Sequence, residues 1–326
     1  MKAIQVTAFG GPEVLTVVEM PDPGPGPGQI LVDVAAVDVI NLDTHVRAGA
    51  WEEFFPIPLP YVPGGAVAGT IAAVGAGVPG TRVGERVAAW LDGVSGGYAE
   101  RAVADAASAV PVPDGVDLRS AAALMHDLPT ALLLLDLAEI KPQDRVLITG
   151  AAGAMGLLLV RAAHAAGAVV VVGAARGGRK LELVREEGAD AVVDYSADGW
   201  VEAAMTAAGG EFSVLLDGVG GELGTAALSA AGDGARISTH GAAAGGFARV
   251  DAEVVARRGQ RVSGIAAVRI GPDRAAAVRR RWVEVLRTRS AEFRPVIGQT
   301  FALEEAGSAH TAIESREAPG KTLLIP

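Results

Sequence analysis

Three glycines, Gly150, Gly153 and Gly156, recur at a spacing of three and are the residues of this chain best suited to hold a charged ligand. A short apolar run with a β-rich composition, Val146 to Thr149, comes before them. An Ala/Leu/Val-rich helical segment follows, from Leu157 to about Ala166, and after Gly167 a second apolar run, Val169 to Val172. The order is strand, glycine turn, helix, strand. It makes a βαβ unit of roughly thirty residues in which the turn can hold a pyrophosphate. Glycine removes the Cβ, so the backbone can approach a phosphate. The N–H groups that open the helix then point at the anion. Many parallel αβ folds use glycine at tight turns, so it is the strand before and the helix after that give the triplet its meaning.

The end of the second strand indicates which dinucleotide. A cofactor with a free ribose 2′-hydroxyl usually meets an Asp or Glu about twenty residues past the first glycine. Here that region reads Gly173, Ala174, Ala175, Arg176, Gly177, Gly178, Arg179, Lys180, with no carboxylate and three cations. A carboxylate would repel a 2′-phosphate, whereas Arg binds one bidentately and Lys binds it as a point charge. Cations at a helix start also oppose the macrodipole, so they need another reason to be there. The expected cofactor is NADPH.

The elements that must position this turn follow from length and pattern. At 326 residues the chain exceeds what one core usually supports. Its net charge of −10 argues against non-specific nucleic-acid binding. It has no cysteine, which excludes disulfides, thiolate metal sites and Cys nucleophiles. No long apolar run free of charge or breakers is present, and the start Met1-Lys2-Ala3-Ile4-Gln5 lacks a signal-peptide core. A cytoplasmic protein that does not enter a membrane is expected.

Residues 1–120 read as a β-rich domain of short strands. Lys2 to Phe9, Leu15 to Glu19, Ile30 to Val39, Ala66 to Val74, Arg86 to Ala89 and Tyr98 to Val103 lie between Pro- and Gly-rich turns. From 121 to 267 the pattern alternates. A helical segment Ser120 to Ala138, interrupted at Pro129, leads into the nucleotide unit. Then come helix Lys180–Glu187, strand Ala191–Asp194, helix Gly199–Ala208, strand Ser213–Asp217, helix Leu223–Ala231, strand Ala235–Thr239 and a sixth strand, Arg261–Val268. Such alternation predicts a doubly wound parallel sheet with helices on both faces. Residues 268–326 hold a basic amphipathic helix, Arg274–Arg289, and end in a strand-like Thr322–Ile325.

Taken in order, these features resemble the medium-chain dehydrogenase/reductase superfamily, in its zinc-independent quinone oxidoreductase (zeta-crystallin-like) branch. The marks are Asp43-Thr44-His45-Val46-Arg47-Ala48-Gly49, Val83-Gly84-Glu85-Arg86-Val87, Gly97-Tyr98-Ala99-Glu100, Val112-Pro113-Asp114-Gly115, the Gly150–Gly156 turn, Gly188-Ala189-Asp190 leading to Asp194-Tyr195, Asp217-Gly218-Val219-Gly220-Gly221 and Gly320-Lys321-Thr322-Leu323. The resemblance implies an α/β protein in which a GroES-like domain is fused to a Rossmann domain. The tail would return to the first domain, and the active site would lie between the two. It implies Thr130 beside the nicotinamide, Gly153, Ala154 and Met155 at the pyrophosphate, and Lys180 and Tyr195 toward the adenosine 2′-phosphate; Gly173 and Arg176, at the end of the second strand, are further candidate cofactor-binding residues. His240, Gly241, Ile265 and Ala266 would approach the nicotinamide ribose and carboxamide. A homodimer is implied too.

The chain departs from the family in places. Ala154 and Met155 replace the usual middle pair of the turn, Ile40 stands where Asn is usual, and Trp51 replaces a common Tyr. Zinc-dependent relatives hold metal with Cys and a His-Glu pair. The matching stretch here, Pro63-Gly64-Gly65-Ala66, offers no ligand, so no metal is expected. Hydride transfer without metal needs an acceptor that is already electrophilic, such as a quinone, an enone or enal, or an enoyl thioester. Asp43 matches a family position and is a candidate catalytic group. His45 and His126 are further candidate proton donors, and Asp127 is expected to N-cap a helix. Trp51, with Phe54 and Phe55, could stack on a flat acceptor, and Tyr61 could line the same loop.

Three other readings compete with a quinone or enone reductase. One is an enoyl reductase or tailoring enzyme acting on a polyketide-like intermediate. Another is a crystallin-like protein that binds NADPH without turnover. The third is a methyltransferase, which would want an acid near Arg176.

Overall fold

The structure is a computed structural model that describes residues 1–50, 52–53, 56–268, 272–289 and 292–326. Trp51, Phe54 and Phe55, the expected stacking cluster, lie outside the described residues. Contacts divide the chain into two compact units. The first is Met1–His126 with Ala276–Thr288 and Pro295–Pro326, and the second is Asp127–Ala275 with Arg289–Arg294.

The second unit is built on a six-stranded sheet. From edge to edge its strands are Ala191–Asp194, Val170–Ala175, Arg145–Thr149, Phe212–Asp217, Ala231–Thr239 and Arg261–Gly264. Every pairing in it is parallel. The chain starts in the middle at Arg145–Thr149, steps outward to one edge, then returns beside its start and steps to the other. That reversal is the topological switch of a doubly wound sheet, and ligands bind where it leaves a crevice beyond the strand ends. The central strands carry no alternation because both faces are covered. Val146, Leu147, Ile148, Val171, Val172, Leu215 and Leu216 are all buried. Leu147, Val172, Trp200, Phe212, Leu215 and Ile237 belong to one core cluster.

The first unit is centred on the long strand Gln29–Val39. One side of it pairs with Ala66–Val74 along most of its length. The other side is shared: Gln29–Asp33 pairs with Arg101–Asp105, and Val37–Val39 pairs with the C-terminal strand Lys321–Ile325. The ladder continues through Arg86–Trp90 to Ala109–Pro111, and beyond Lys321–Ile325 to Ile297–Ala302. Ile4, Ile30, Val32, Ile71, Val87, Tyr98 and Leu324 fill its core.

Several elements differ from the sequence reading, each for a local reason. The segment Ser120–Ala138 is two helices, Leu118–Ala123 and Asp127–Ala138. Pro129 falls in the first turn of the second helix, where a missing N–H breaks no intrahelical bond. Asp117 caps the first helix by accepting from Ser120 N at 2.9 Å. The sixth strand stops at Gly264, and Ile265–Val268 forms a 3₁₀ turn. The helix expected over Leu223–Ala231 runs Gly221–Ala227, and the next strand already begins at Ala231. Two helices had no strong periodic signal, Asn41–Arg47 and Ala306–Ser315. Among the described residues no helix is long and apolar enough to cross a membrane.

Candidate functional site

The glycine turn sits at the C-terminal end of Arg145–Thr149, beside the switch point. Gly150 has φ +64° and Gly153 is the N-cap of helix Ala154–Ala165. A Gly cap offers no side-chain acceptor, so the first N–H groups of that helix are left for a ligand or solvent. Gly156 lies inside the helix and is buried. A Cβ there would stand 2.4 Å from Gly150 O and 2.7 Å from Ala151 Cα, so its absence is what seats the helix against the turn. Ala154 and Met155 are half-buried in the first helical turn. Gly173 is buried in strand Val170–Ala175, where a Cβ would meet Val184 Cγ1 at 2.3 Å. Its lack of a side chain is filled by helix Gly178–Glu186 packing onto the sheet.

That helix starts at the end of the same strand, and Arg176 is exposed just ahead of it. Gly177, at φ +83°, is its N-cap, and Arg179 and Lys180 lie in its first turn. Tyr195 comes one residue after the neighbouring strand, and its N–H donates to Ala175 O at 3.1 Å. Its ring packs edge-on against Trp200 with centroids 6.4 Å apart. Arg176, Arg179, Lys180 and Tyr195 therefore gather at the ends of two adjacent strands. The sequence reading named Asp194 beside Tyr195 but gave it no role at the site. Its carboxylate accepts from Gly177 N at 2.9 Å and from Ser196 N and Oγ at 2.9 and 2.5 Å. Ser196 foremost, with Gly177 N and the Arg176 charge, holds that carboxyl below its usual range. An acid is thus present near the cations, contributed by the next strand.

On the other side of the switch point, Asp217 ends strand Phe212–Asp217 and is fully buried. Its Oδ1 accepts from Thr149 Oγ1 at 2.6 Å, Gly220 N at 3.1 Å and Val219 N at 3.2 Å. Its backbone carbonyl accepts from His240 N and Gly241 N. Burial pushes its carboxyl up against those bonds. Asp217 thus ties together three strand ends. Gly241 passes so close to Gly218 that a Cβ would lie 2.0 Å from its carbonyl carbon. His240 is buried, its Nδ1 is 3.2 Å from Ser238 Oγ, and burial drives its pKa down to about 4, so it is neutral at neutral pH. Ile265 and Ala266 are exposed on the 3₁₀ turn that ends the edge strand. Thr130 is half-buried in helix Asp127–Ala138, which packs on strand Ala231–Thr239 and on that 3₁₀ turn.

The first unit holds a separate set of buried polar groups. Asp43 lies in the first turn of helix Asn41–Arg47, and its Oδ2 accepts from Ile40 N at 2.9 Å and Tyr98 OH at 3.1 Å. Tyr98 OH is also 2.8 Å from His310 Nε2, and His310 Nδ1 is 3.4 Å from Arg47 Nη1. Arg47 continues to Glu314 and to Gly10 O. Arg47 can only donate, so His310 Nδ1 must accept and Nε2–H must donate to Tyr98, whose hydroxyl then donates to Asp43. Burial first, then the Arg47 charge, lowers His310 to about 3. Burial raises Asp43 to about 6. Asp43 is only 2% exposed and braces its helix from within through Oδ2, while Oδ1 is buried without a hydrogen-bond partner.

Asp38, also buried, receives His126 Nδ1 at 2.7 Å and pairs with Lys321. Burial alone would raise Asp38, but Lys321 and His126 overcome it and hold the carboxyl low. Burial likewise works to lower His126, and the bond to Asp38 reverses this and raises it. His45 is half-buried and lowered by burial. Tyr61 is buried with its hydroxyl unpartnered, and burial pushes it to about 12. Among the described residues no three His, Asp or Glu side chains converge as a metal site.

Comparison with known proteins gives a consistent result. A zinc-binding dehydrogenase family model matches residues 154–286, and an alcohol dehydrogenase GroES-like domain model matches residues 26–114. A quinone oxidoreductase of Pseudomonas aeruginosa is 31% identical over 333 residues, covering 100% of this chain and 99% of its own. A mycobacterial protein solved in complex with NADPH has a TM-score of 0.88 at 30% identity, with 100% of both chains covered. The Escherichia coli quinone oxidoreductase, also complexed with NADPH, has a TM-score of 0.86 at 25% identity over 100% of both chains.

Proposed function

The chain belongs to the quinone oxidoreductase family of medium-chain dehydrogenases/reductases, and from that premise we propose that it is an NADPH-dependent reductase of quinones or α,β-unsaturated carbonyls that works without a metal. The observation that carries this reading is the convergence of Arg176, Arg179, Lys180 and Tyr195 beside the Gly150–Gly156 turn. An exposed guanidinium and a neighbouring ammonium suit a 2′-phosphate. The uncapped helix start after Gly153 suits a pyrophosphate. NADPH, when bound, supplies the hydride.

The chain's own residues have simpler tasks. Gly153, a cap without a side chain, and the N–H groups of Ala154 and Met155 that open the helix would hold the diphosphate. Asp217 and Thr149 fix the strand ends so that the Gly218 and His240–Gly241 turns keep their place. His240 stays uncharged, so it adds no cation beside a nicotinamide. The 3₁₀ turn with Ile265 and Ala266 and the side chain of Thr130 complete the nicotinamide end in this reading. Metal independence is supported by the donor set, since the chain has no Cys and the stretch Pro63–Ala66 has no ligand. Dimerisation through the sheet edge at Arg261–Gly264 belongs to the same proposal.

The test is NADPH oxidation followed at 340 nm, with and without EDTA, against a panel of simple quinones, enals and enoyl thioesters. We expect turnover on at least one class, undiminished by EDTA. Tight NADPH binding with no turnover on any of them would leave the non-catalytic reading in its place.

A further inference from the structure

We infer that Asp194 is a positioning residue for cofactor choice, bracing the turn that presents Arg176, Arg179 and Lys180 without binding the ribose itself. The inference rests on reading that turn as the 2′-phosphate site.

The turn has little of its own to hold it. Gly177 and Gly178 follow one another, and neither has an atom within 4 Å of where a Cβ would stand. Gly177 lies at φ +83° and ψ 148° and caps helix Gly178–Glu186 without a side chain. Two consecutive glycines carry the largest backbone entropy of any pair, so an unbraced turn would spread its cations over many positions. Asp194 supplies the restraint from the next strand. It is the last residue of Ala191–Asp194 and is paired in register with Ala175. Its Oδ2 takes the Gly177 N–H at 2.9 Å, a bond that ties the turn to the sheet edge from outside. Its Oδ1 takes Ser196 N and Oγ, which fixes the carboxylate plane.

A carboxylate close to a ribose can accept its 2′-hydroxyl and so favour NADH, although the usual one ends the second strand and Asp194 ends the third. The hydrogen bonds argue otherwise. Both oxygens are already engaged by three protein donors, two of them backbone N–H groups. The negative charge is a cost to a bound 2′-phosphate. Arg176, whose charge acts on Asp194, offsets that cost. The carboxylate therefore does two opposed things: it holds the turn and it repels the phosphate. An amide at the same position keeps one acceptor oxygen and drops the repulsion, which separates the two effects.

The experiment measures NADPH and NADH binding by nucleotide fluorescence on the full chain, together with kcat and KM using a simple quinone. Asp194→Ala should raise the Kd for NADPH about tenfold, the loss expected for one charge-assisted hydrogen bond. Its Kd for NADH should change less than about twofold, and kcat at saturating NADPH should hold. Asp194→Asn should return NADPH binding to within about threefold of the natural chain, because one acceptor remains. If Asp194→Ala does not fold, Ser196→Ala carries the same test with a smaller loss confined to NADPH. Weakened NADH with unchanged NADPH would make Asp194 the ribose acceptor and overturn the inference. So would unchanged binding of both nucleotides, or equal losses for both. A natural chain that binds NADPH no better than NADH would instead remove the 2′-phosphate reading beneath it.

Discussion

The cation cluster was readable from residue types alone, because Arg176, Arg179 and Lys180 are consecutive enough to be seen as a group. What could not be read was that Asp194 would lie beside them. Asp194 lies seventeen positions from Gly177 and reaches it only because two parallel strands end side by side. The same holds for Asp217 and Thr149, 68 positions apart and joined at 2.6 Å. Single residues advertise charge, but a hydrogen bond between strand ends has no local signature. At this scale the cofactor assignment makes a direct prediction. Arg176→Ala with Lys180→Ala removes two charged donors to a phosphate, each worth about 1–2 kcal/mol at a partly exposed position. The Kd for NADPH should rise roughly 30- to 1,000-fold and that for NADH less than about threefold. Nucleotide fluorescence titration of both reads this out, and parallel losses would remove the phosphate from the turn.

Elements were legible where their period was strong. The strands of the parallel sheet read as apolar runs because both faces are buried, and their helices followed from alternation. Helix Asn41–Arg47 escaped because it has seven residues and its inward face carries Asp43, Thr44 and Arg47, all buried and polar. Val46 is its one fully buried apolar residue, too little for a hydrophobic period to report the helix. The glycines show how an element is seated, and here two of them should part company. Gly156→Ala would put a methyl 2.4 Å from Gly150 O, a backbone atom that cannot move without shifting the turn. Gly153 has φ −75° and ψ 166°, which Ala adopts freely, and its Cβ would meet only Gly150 O at 3.3 Å. Overpacking of the first kind costs about 1–3 kcal/mol, so Gly156→Ala should lower the melting temperature by several degrees and weaken NADPH binding. Gly153→Ala should stay within about 1 kcal/mol of the natural chain. Equal effects of the two substitutions in thermal melts would mean that the helix is not seated on the turn as described.

At the scale of the whole chain, the sequence showed a strand-like C-terminus but not its neighbour, since an apolar run does not name the strand it pairs with. Lys321 and His310 make the connection, and both are buried against residues of the first 126. Such burial has a pH signature whose sign can be worked out. His310 is depressed to about 3 and His240 to about 4, from an ordinary value of 6.5. In each case the unfolded chain binds the proton more readily. The stability these residues contribute is therefore complete above about pH 6.5 and is lost as the pH falls toward the folded value. At pH 5 the loss is about 2 kcal/mol for each, taking 1.36 kcal/mol per unit. Asp43 works the other way. Its folded pKa is raised from 3.8 to about 6, so its contribution is complete at low pH and is lost as the pH rises through 6. His126, raised by Asp38, also favours the acid side. Urea unfolding at pH 7 and pH 5 can separate these opposed terms by substitution. His310→Gln keeps a donor and an acceptor between Arg47 and Tyr98 but cannot titrate, so it should relieve about 2 kcal/mol of the loss between pH 7 and pH 5. Asp43→Asn should deepen that loss by about 1 kcal/mol, because the natural carboxyl regains stability on taking up its proton. If both substitutions moved the pH dependence in the same direction, the proton inventory of the buried chain from Arg47 to Asp43 would be wrong.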